Sequence, residues 1–174
     1  MEPDAVIVRG MRADDLDAVL AIQLACYGAG FVEDGALIAR RLSAAPHTGW
    51  VVEHRGGVRA YLAGYPSVAG KLTPLHGEFE VAQRPDSLYL HDLAVDPGAS
   101  GLGLGPRLVR HAWAQAMQAG WRHSTLVSVQ SSVGFWQRQG YEATPPDGPE
   151  QEARLATYPG ETVYMIRPLH WMAG

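Results

Sequence analysis

The 174-residue sequence holds a single cysteine, Cys26. An internal disulfide and a cysteine-rich zinc site are therefore excluded, and a reducing compartment is expected. No apolar run approaches the ~20 residues that a membrane helix requires. The opening MEPDAVIVRGMRADD has no basic flank ahead of an apolar core, so no secretory signal is expected. Basic stripes are missing as well: 14 Lys and Arg stand against 18 Asp and Glu, for a net charge of −4. That balance argues against nucleic acid as a partner and fits a cationic substrate without demanding one. A cytoplasmic protein with neither a nucleic-acid nor a membrane partner is the expectation. The hydrophobic fraction of 47% and charged fraction of 18% are those of an ordinary globule. Residues 1–174 read as one domain able to bury its own core.

Internal repeats and low-complexity tracts are also absent, and strand and helix patterns alternate instead. AVIVRG (5–10) reads as a strand. Asp14 is placed to cap a helix with Leu16, Val19, Leu20 and Gln23 on one face, and a second helix is expected from Asp34 to Ala44. Residues 49–67 are two β-rich runs around Gly56-Gly57, a hairpin signal. The stretch 67–86, with Gly70, Pro74, Gly77 and Pro85, reads as a lid or a disordered loop. SLYLHDLAV (87–95) is a strand, and a helix is expected from Gly105 or Pro106 to Ala119, stopped by Gly120. HSTLVSV (123–129) is a strand, Ser131 or Ser132 can cap the helix VGFWQRQ, and ETVYMIRPL (161–169) follows a loop at 144–160. The fold class is α/β (α+β): one mixed sheet of about six or seven strands with helices on both faces.

The stretch HDLAVDPGASGLGLGPRLV (91–109) runs from strand to helix through Gly101, Gly103 and Gly105. Backbone N–H groups at a helix start carry roughly half a positive charge and suit a diphosphate. Two familiar phosphate loops do not fit. No lysine follows the glycines, which excludes a P-loop, and GxGxG with Pro106 next is not the dinucleotide fingerprint GxGxxG.

LAVDPGASGLGLG resembles the acetyl-CoA signature of the GCN5-related N-acetyltransferases (GNAT), and FWQRQGYEA resembles their closing motif. Both occur in the family's order, and the element order agrees over nearly the whole chain. The nearer resemblance is to the arylalkylamine (serotonin-type) N-acetyltransferases, on His-x-Leu-Ala-Val and Val-x-Phe-aromatic-Gln-Arg. The resemblance implies acetyl-CoA as co-substrate, with its pyrophosphate on Gly101, Leu102, Gly103, Leu104, Gly105 and Pro106. It implies that Leu93, Ala94 and Val95 lend backbone groups to the pantetheine arm and the acetyl carbonyl, at a splayed strand pair. Ser100 stands where the family usually opens the loop with a basic or amide residue, and Pro106 removes one N–H.

Acyl transfer to an amine needs a proton acceptor, an oxyanion donor and tolerance of a departing thiolate. Strict alternation puts Tyr89, His91, Leu93 and Val95 on one strand face and Leu90, Asp92 and Ala94 on the other. His91 thus faces the acyl group and can accept the proton, directly or through water; a half-buried, satisfied strand histidine is the plain alternative. The resemblance implies the same base role for His91, with Tyr89 replacing the serotonin-type enzymes' second histidine. Asp92 reads as structural. Trp136 occupies the place of the family's thiolate-protonating tyrosine, and an indole N–H can only donate a hydrogen bond; Ser132, grouped with the cofactor contacts, and Tyr89 are the other donors. His47, His54, His76, His111, His123 and His170 share no metal spacing, and no metal is expected. The leading reading is an N-acetyltransferase for a small-molecule amine by direct attack. A CoA-binding sensor of the same fold and a protein N-acetyltransferase are the alternatives, and a homodimer is left open.

Overall fold

The computed structural model describes residues 4–28 and 30–170. β1 (Ile7–Gly10), β2 (Gly49–His54), β3 (Gly57–Ser67) and β4 (Ser87–Val95) form an antiparallel half-sheet. β5 (His123–Ser128) joins β4 in parallel, and β7 (Val163–Pro168) and the two-residue β6 (Glu142–Ala143) complete the order β1-β2-β3-β4-β5-β7-β6. The β2–β3 turn is Arg55-Gly56, both left-handed (φ 50° and 76°), one residue earlier than Gly56-Gly57. That pair of positive φ values matches the twist of a two-residue hairpin.

One sheet face packs on α3 (Leu104–Gln118) and α4 (Val133–Arg138), with Leu88, Leu90, Leu108, Val109 and Ala112 at the centre of the largest core cluster. The other face carries α1 (Leu16–Cys26) and α2 (Gly35–Ala44), with Val19, Ile22, Tyr61 and Ala94 packed together. Asp34 caps α2 by accepting from the Ala36 N–H at 2.9 Å. Asp14 does not cap α1. Its neighbour Asp15 closes a single 3₁₀ turn, accepting from the Arg12 N–H and a bidentate pair from Arg9.

The two long loops are ordered. Leu72 and Phe79 are buried in a third cluster with Tyr65, Tyr89 and Tyr164, so 67–86 is neither detached nor disordered. The 144–160 stretch contains α5 (Gly148–Leu155), opened by Pro149 with Glu150 in its first turn. α5 and its flank bind the first loop: Gln151 accepts from the Leu72 N–H, Thr157 Oγ1 from the Leu75 N–H, and the Tyr158 hydroxyl donates to the Thr73 carbonyl. No helix among the described residues is long and apolar enough to cross a membrane.

β4 carries the decisive irregularity. Its register against β3 runs Ala63↔Asp92 and then Gly64↔Leu90, leaving His91 unpaired in a β-bulge. Gly64 permits it, since a Cβ there would lie 2.3 Å from the Tyr89 carbonyl oxygen. Side-chain alternation shifts at that point. Leu88 and Leu90 before the bulge, and Leu93 and Val95 after it, all face α3. Strict alternation across His91 therefore fails, because the extra residue moves everything beyond it to the opposite face.

Candidate active site

β4 and β5 pair from Ser87↔His123 to Leu90↔Leu126 and no further, although both strands continue. The V between them is the expected splay. On the β3 side, Asp96 donates to the Arg59 carbonyl, so Ala94, two residues back, also turns its backbone groups to β3. Leu93 and Val95 turn theirs outward, and their carbonyls accept from the Tyr27 hydroxyl (2.9 Å) and Cys26 Sγ (3.1 Å). N–H and C=O of one residue share a side in an antiparallel strand. The N–H groups of Leu93 and Val95 therefore face the open V. Ala94 does not belong with them: its backbone pairs with Tyr61 and its side chain is buried under α1.

Beyond the V lies the glycine loop. Gly101 (φ 85°) and Gly103 (φ 70°, the N-cap of α3) are left-handed, a conformation that costs a side-chain-bearing residue about 1–2 kcal/mol. A Cβ on either would meet nothing within 4 Å, so their α-carbons face open space. No acceptor among the described residues takes the N–H groups of 101–105. Two joined cavities cover the path. The outer one, about 510 Å³, is lined by Ser100, Gly101, Gly103, Gly105 and Pro106, and shares Leu93 and Phe135 with the inner one, about 260 Å³. Leu102, at 51% exposure, points to solvent. Leu104 is buried in the α3 core with only its backbone toward the loop.

The inner cavity is lined by Leu126, Gln130, Ser132 and Trp136, and by His91 and Asp92. Trp136 is buried, packed edge-on against Phe135 and Tyr141 with ring centroids 4.9 and 5.3 Å apart. Ser132 does not cap α4 through its hydroxyl, which donates to the Val129 carbonyl at 2.6 Å and lies 2.8 Å from Ser128 Oγ. Tyr89 is fully buried, stacks on Tyr65 and does not line this cavity. Burial pushes its phenol well above the ordinary value of 10.

His91 is placed differently from the alternation argument. The bulge turns it toward the α1–α2 connection, where Nε2 sits 2.9 Å from Glu33 Oε1. Its side chain is 3% exposed, with Phe79 edge-on at 5.5 Å. Nδ1 is buried without a partner among the described residues. Glu33, 4% exposed, is also held by Arg41 at 2.7 and 2.6 Å. Burial pushes the Glu33 carboxyl up, but Arg41 and His91 outweigh it and hold the group well below the usual carboxylate range.

Asp92 sits beside it, hydrogen-bonded to the hydroxyls of Tyr61 and Tyr27, the latter at 2.6 Å. Burial raises its pKa, while the two phenols and His91 pull the other way. The Tyr27 hydroxyl has one proton and lies near two acceptors, Asp92 and the Leu93 carbonyl. A protonated Asp92 donating to Tyr27 satisfies both. Glu33, Tyr27 and Asp92 were not legible as site residues in the sequence. A further narrow cavity of about 30 Å³ opens beyond His91 and Asp92, walled by Phe31, Leu75, Val127 and Tyr158. Among the described residues no cluster of three or more His, Cys, Asp or Glu has metal-holding geometry.

Comparison with known proteins places this arrangement in a wider setting. The fold is similar to that of the GphF GNAT-like decarboxylase in complex with isobutyryl-CoA: TM-score 0.75, 18% identity, covering 94% of this chain and 100% of that one. It is similar to the ribosomal-protein-S18-alanine N-acetyltransferase of Escherichia coli, with TM-score 0.68, 18% identity and coverage of 98% and 97%. A GNAT family acetyltransferase from Brucella melitensis in complex with acetyl-CoA gives TM-score 0.60, 24% identity and coverage of 84% and 90%. At these identities the likeness is one of fold. No curated protein matches the sequence. The family's sequence model, in contrast, matches residues 16–141, a span that holds α1, the splayed strands, the glycine loop and α4. The chain belongs to the acetyltransferase (GNAT) family.

Proposed function

We propose that this chain transfers the acetyl group of acetyl-CoA to a small primary amine, with His91 as proton acceptor. The observation that carries the reading is the buried His91 imidazole. Its Nε2 is taken by Glu33, its buried Nδ1 has no partner among the described residues, and the residue lines the cavity that joins the one at the glycine loop. A lone pair there can receive the proton an attacking amine must lose once the incoming acceptor displaces the side chains that close Nδ1 from solvent.

The residues present fit coenzyme A. The unpaired amides of 101–105 beneath open space suit a pyrophosphate. The outward edge of Leu93 and Val95 offers N–H donors to the pantetheine arm and to the oxyanion of acyl transfer. The amine nitrogen bonds to the acyl carbon, the C–S bond breaks with its electron pair going to sulfur, and the amine proton goes to His91 Nδ1.

The acceptor side is narrow and mostly apolar, closed by Leu75 and Tyr158 from the two long loops. No Lys or Arg among the described residues lines it, and the nearby Arg41 is already bound to Glu33 and the Gly77 carbonyl. Among the described residues a carboxylate-bearing acceptor therefore has no free Lys or Arg to pair with there. Decarboxylation, the activity for which GphF is named, would set an acyl carboxylate beside the Glu33 carboxylate, where like charge repels it. The arylalkylamine class rests only on the resemblance in His-x-Leu-Ala-Val and Val-x-Phe-aromatic-Gln-Arg.

A panel of amines, amino acids and peptides with acetyl-CoA, read by mass spectrometry of the product, tests this. Acetylated small amines are expected. His91→Ala should lose roughly 10²–10⁴-fold in kcat with CoA affinity nearly unchanged. Wild-type turnover by that variant across roughly pH 6–9 refutes the base role. CoA binding with no acetylated product would mark a sensor, acetylated peptides a protein acetyltransferase, and CO₂ from malonyl-CoA a decarboxylase.

A further inference from the structure

Glu33 lies in the connection between α1 and α2, far in sequence from β4, and every feature around it fixes the carboxylate in one place. Gln23 of α1, 1% exposed, clamps its backbone from both sides, donating from Nε2 to the Glu33 carbonyl (3.0 Å) and accepting its N–H (3.1 Å). Arg41 of α2 donates one guanidinium nitrogen to each carboxylate oxygen. The same guanidinium also donates to the Gly77 carbonyl and lies 5.0 Å over the Phe79 ring. The His76 backbone N–H donates to Oε2 at 2.9 Å. With Arg41, His76 and His91 around it, the carboxylate is acceptor-only and has no freedom to rotate.

We propose that Glu33 is a positioning residue for His91: it holds the imidazole in the Nε2–H tautomer and so leaves the lone pair on Nδ1. The warrant is proton bookkeeping. A carboxylate bound on both oxygens by a guanidinium has no proton to share, so the hydrogen in the 2.9 Å contact belongs to Nε2. A flipped ring would present Cε1 to Glu33 and lose the bond. Phe79, edge-on at 5.5 Å, and Tyr89 at 6.3 Å pack beside the ring. The carboxylate–histidine pair is the geometry by which an orienting acid fixes a base's tautomer. This inference rests on the reading of His91 as proton acceptor and assigns Glu33 and Arg41 a role within it.

Glu33→Gln alone leaves Arg41 buried and uncompensated, so the test pairs it with Arg41→Gln, which removes both charges at once. Histidine-selective ¹⁵N NMR of the full chain should show His91 as the Nε2–H tautomer in the wild type. In the double variant it should show a tautomer mixture. Turnover should fall on the order of 10²-fold with CoA affinity unchanged, and the basic-side and acid-side limbs of the pH–rate profile should shift. If the double variant keeps both the wild-type tautomer and the wild-type kcat while His91→Ala is inactive, Glu33 does not position the base and His91 keeps its role. If His91→Ala has wild-type turnover, the base reading itself fails and this inference goes with it.

Discussion

Gly103→Val isolates the glycine loop. Gly103 sits at φ 70° and ψ 26° as the N-cap of α3, and an added Cβ would touch nothing within 4 Å. The folded chain therefore has no clash to relieve, only a β-branched residue held in the left-handed region, at about 1–2 kcal/mol. For a domain of this length each kcal/mol lowers Tm by about 2–4 °C, so the expected loss is about 2–8 °C and the fold survives. The effect on the proposed CoA site is larger. The isopropyl group would stand where the unpaired amides of 101–105 face open space. Losing two hydrogen bonds to a charged phosphate, at about 1.5–3 kcal/mol each, weakens binding by about 10²–10⁴-fold. Isothermal titration with CoA reads this directly. Gly120→Val is the matched control: its φ is 82°, its Cβ space is also empty, and it follows α3 at the far end, roughly 25 Å away. It should show a similar Tm loss with unchanged CoA affinity. Unchanged affinity in Gly103→Val refutes the site assignment, and an equal loss in Gly120→Val would trace the effect to strain.

Two other outcomes are expected. Trp136→Phe should keep CoA affinity and lower kcat about tenfold to a hundredfold, the loss of one hydrogen bond to a developing thiolate; equal rates in a stopped-flow assay would confine Trp136 to packing on Phe135 and Tyr141. The Arg9 hydrogen bonds hold the Asp15 carboxyl below its ordinary 3.8. A depressed acid stabilises the fold above its unfolded pKa and loses that contribution as pH falls through the folded value. Asp15→Asn should thus cost about 1–3 kcal/mol near pH 7, an ion pair closed on one side by burial, with the difference from wild type shrinking in urea titrations as pH falls below the unfolded carboxylate value and vanishing only below the depressed folded one.

The sheet and its helices were legible because each element carries a local signal. Asp34 and Gly120 bracket their helices as caps should, and the β-rich runs are separated by turn residues. The glycine loop was legible for the same reason: positive φ at 101 and 103 is written in the residue type. α5 was missed because none of its residues is buried, so it has no apolar stripe to read; Pro149 and the acidic Glu150 were its only marks. The order of loop 67–86 was hidden too, since Leu72 and Phe79 are isolated apolar residues whose partners, Tyr65, Tyr89 and Tyr164, lie on three different strands. Glu33 carried no motif at all. Its role depends on Gln23, Arg41 and His91 converging from α1, α2 and β4, a meeting that no spacing along the chain encodes.

The bulge at His91 explains why the placement of His91 resisted a reading by alternation, and why that of the glycine loop did not. Leu93 and Val95 were assigned to the acyl edge from the family pattern, and both lie beyond the last β4–β5 pair, on an unpaired edge. His91 was assigned to the same face by counting in twos, which holds only while each residue of β4 meets one of β3. One extra residue opposite Gly64 breaks the count. It lets Leu90 and Leu93 both pack toward α3 while His91 between them turns to Glu33. A regular strand could not do both, since residues three apart point to opposite faces. The bulge thus separates two demands that compete for the same strand. The edge beyond it must stay unpaired for an acyl chain, and the imidazole must be rigid and desolvated to hold a fixed lone pair. Gly64 is the residue that allows this, because only a hydrogen fits where a Cβ would meet the Tyr89 carbonyl at 2.3 Å.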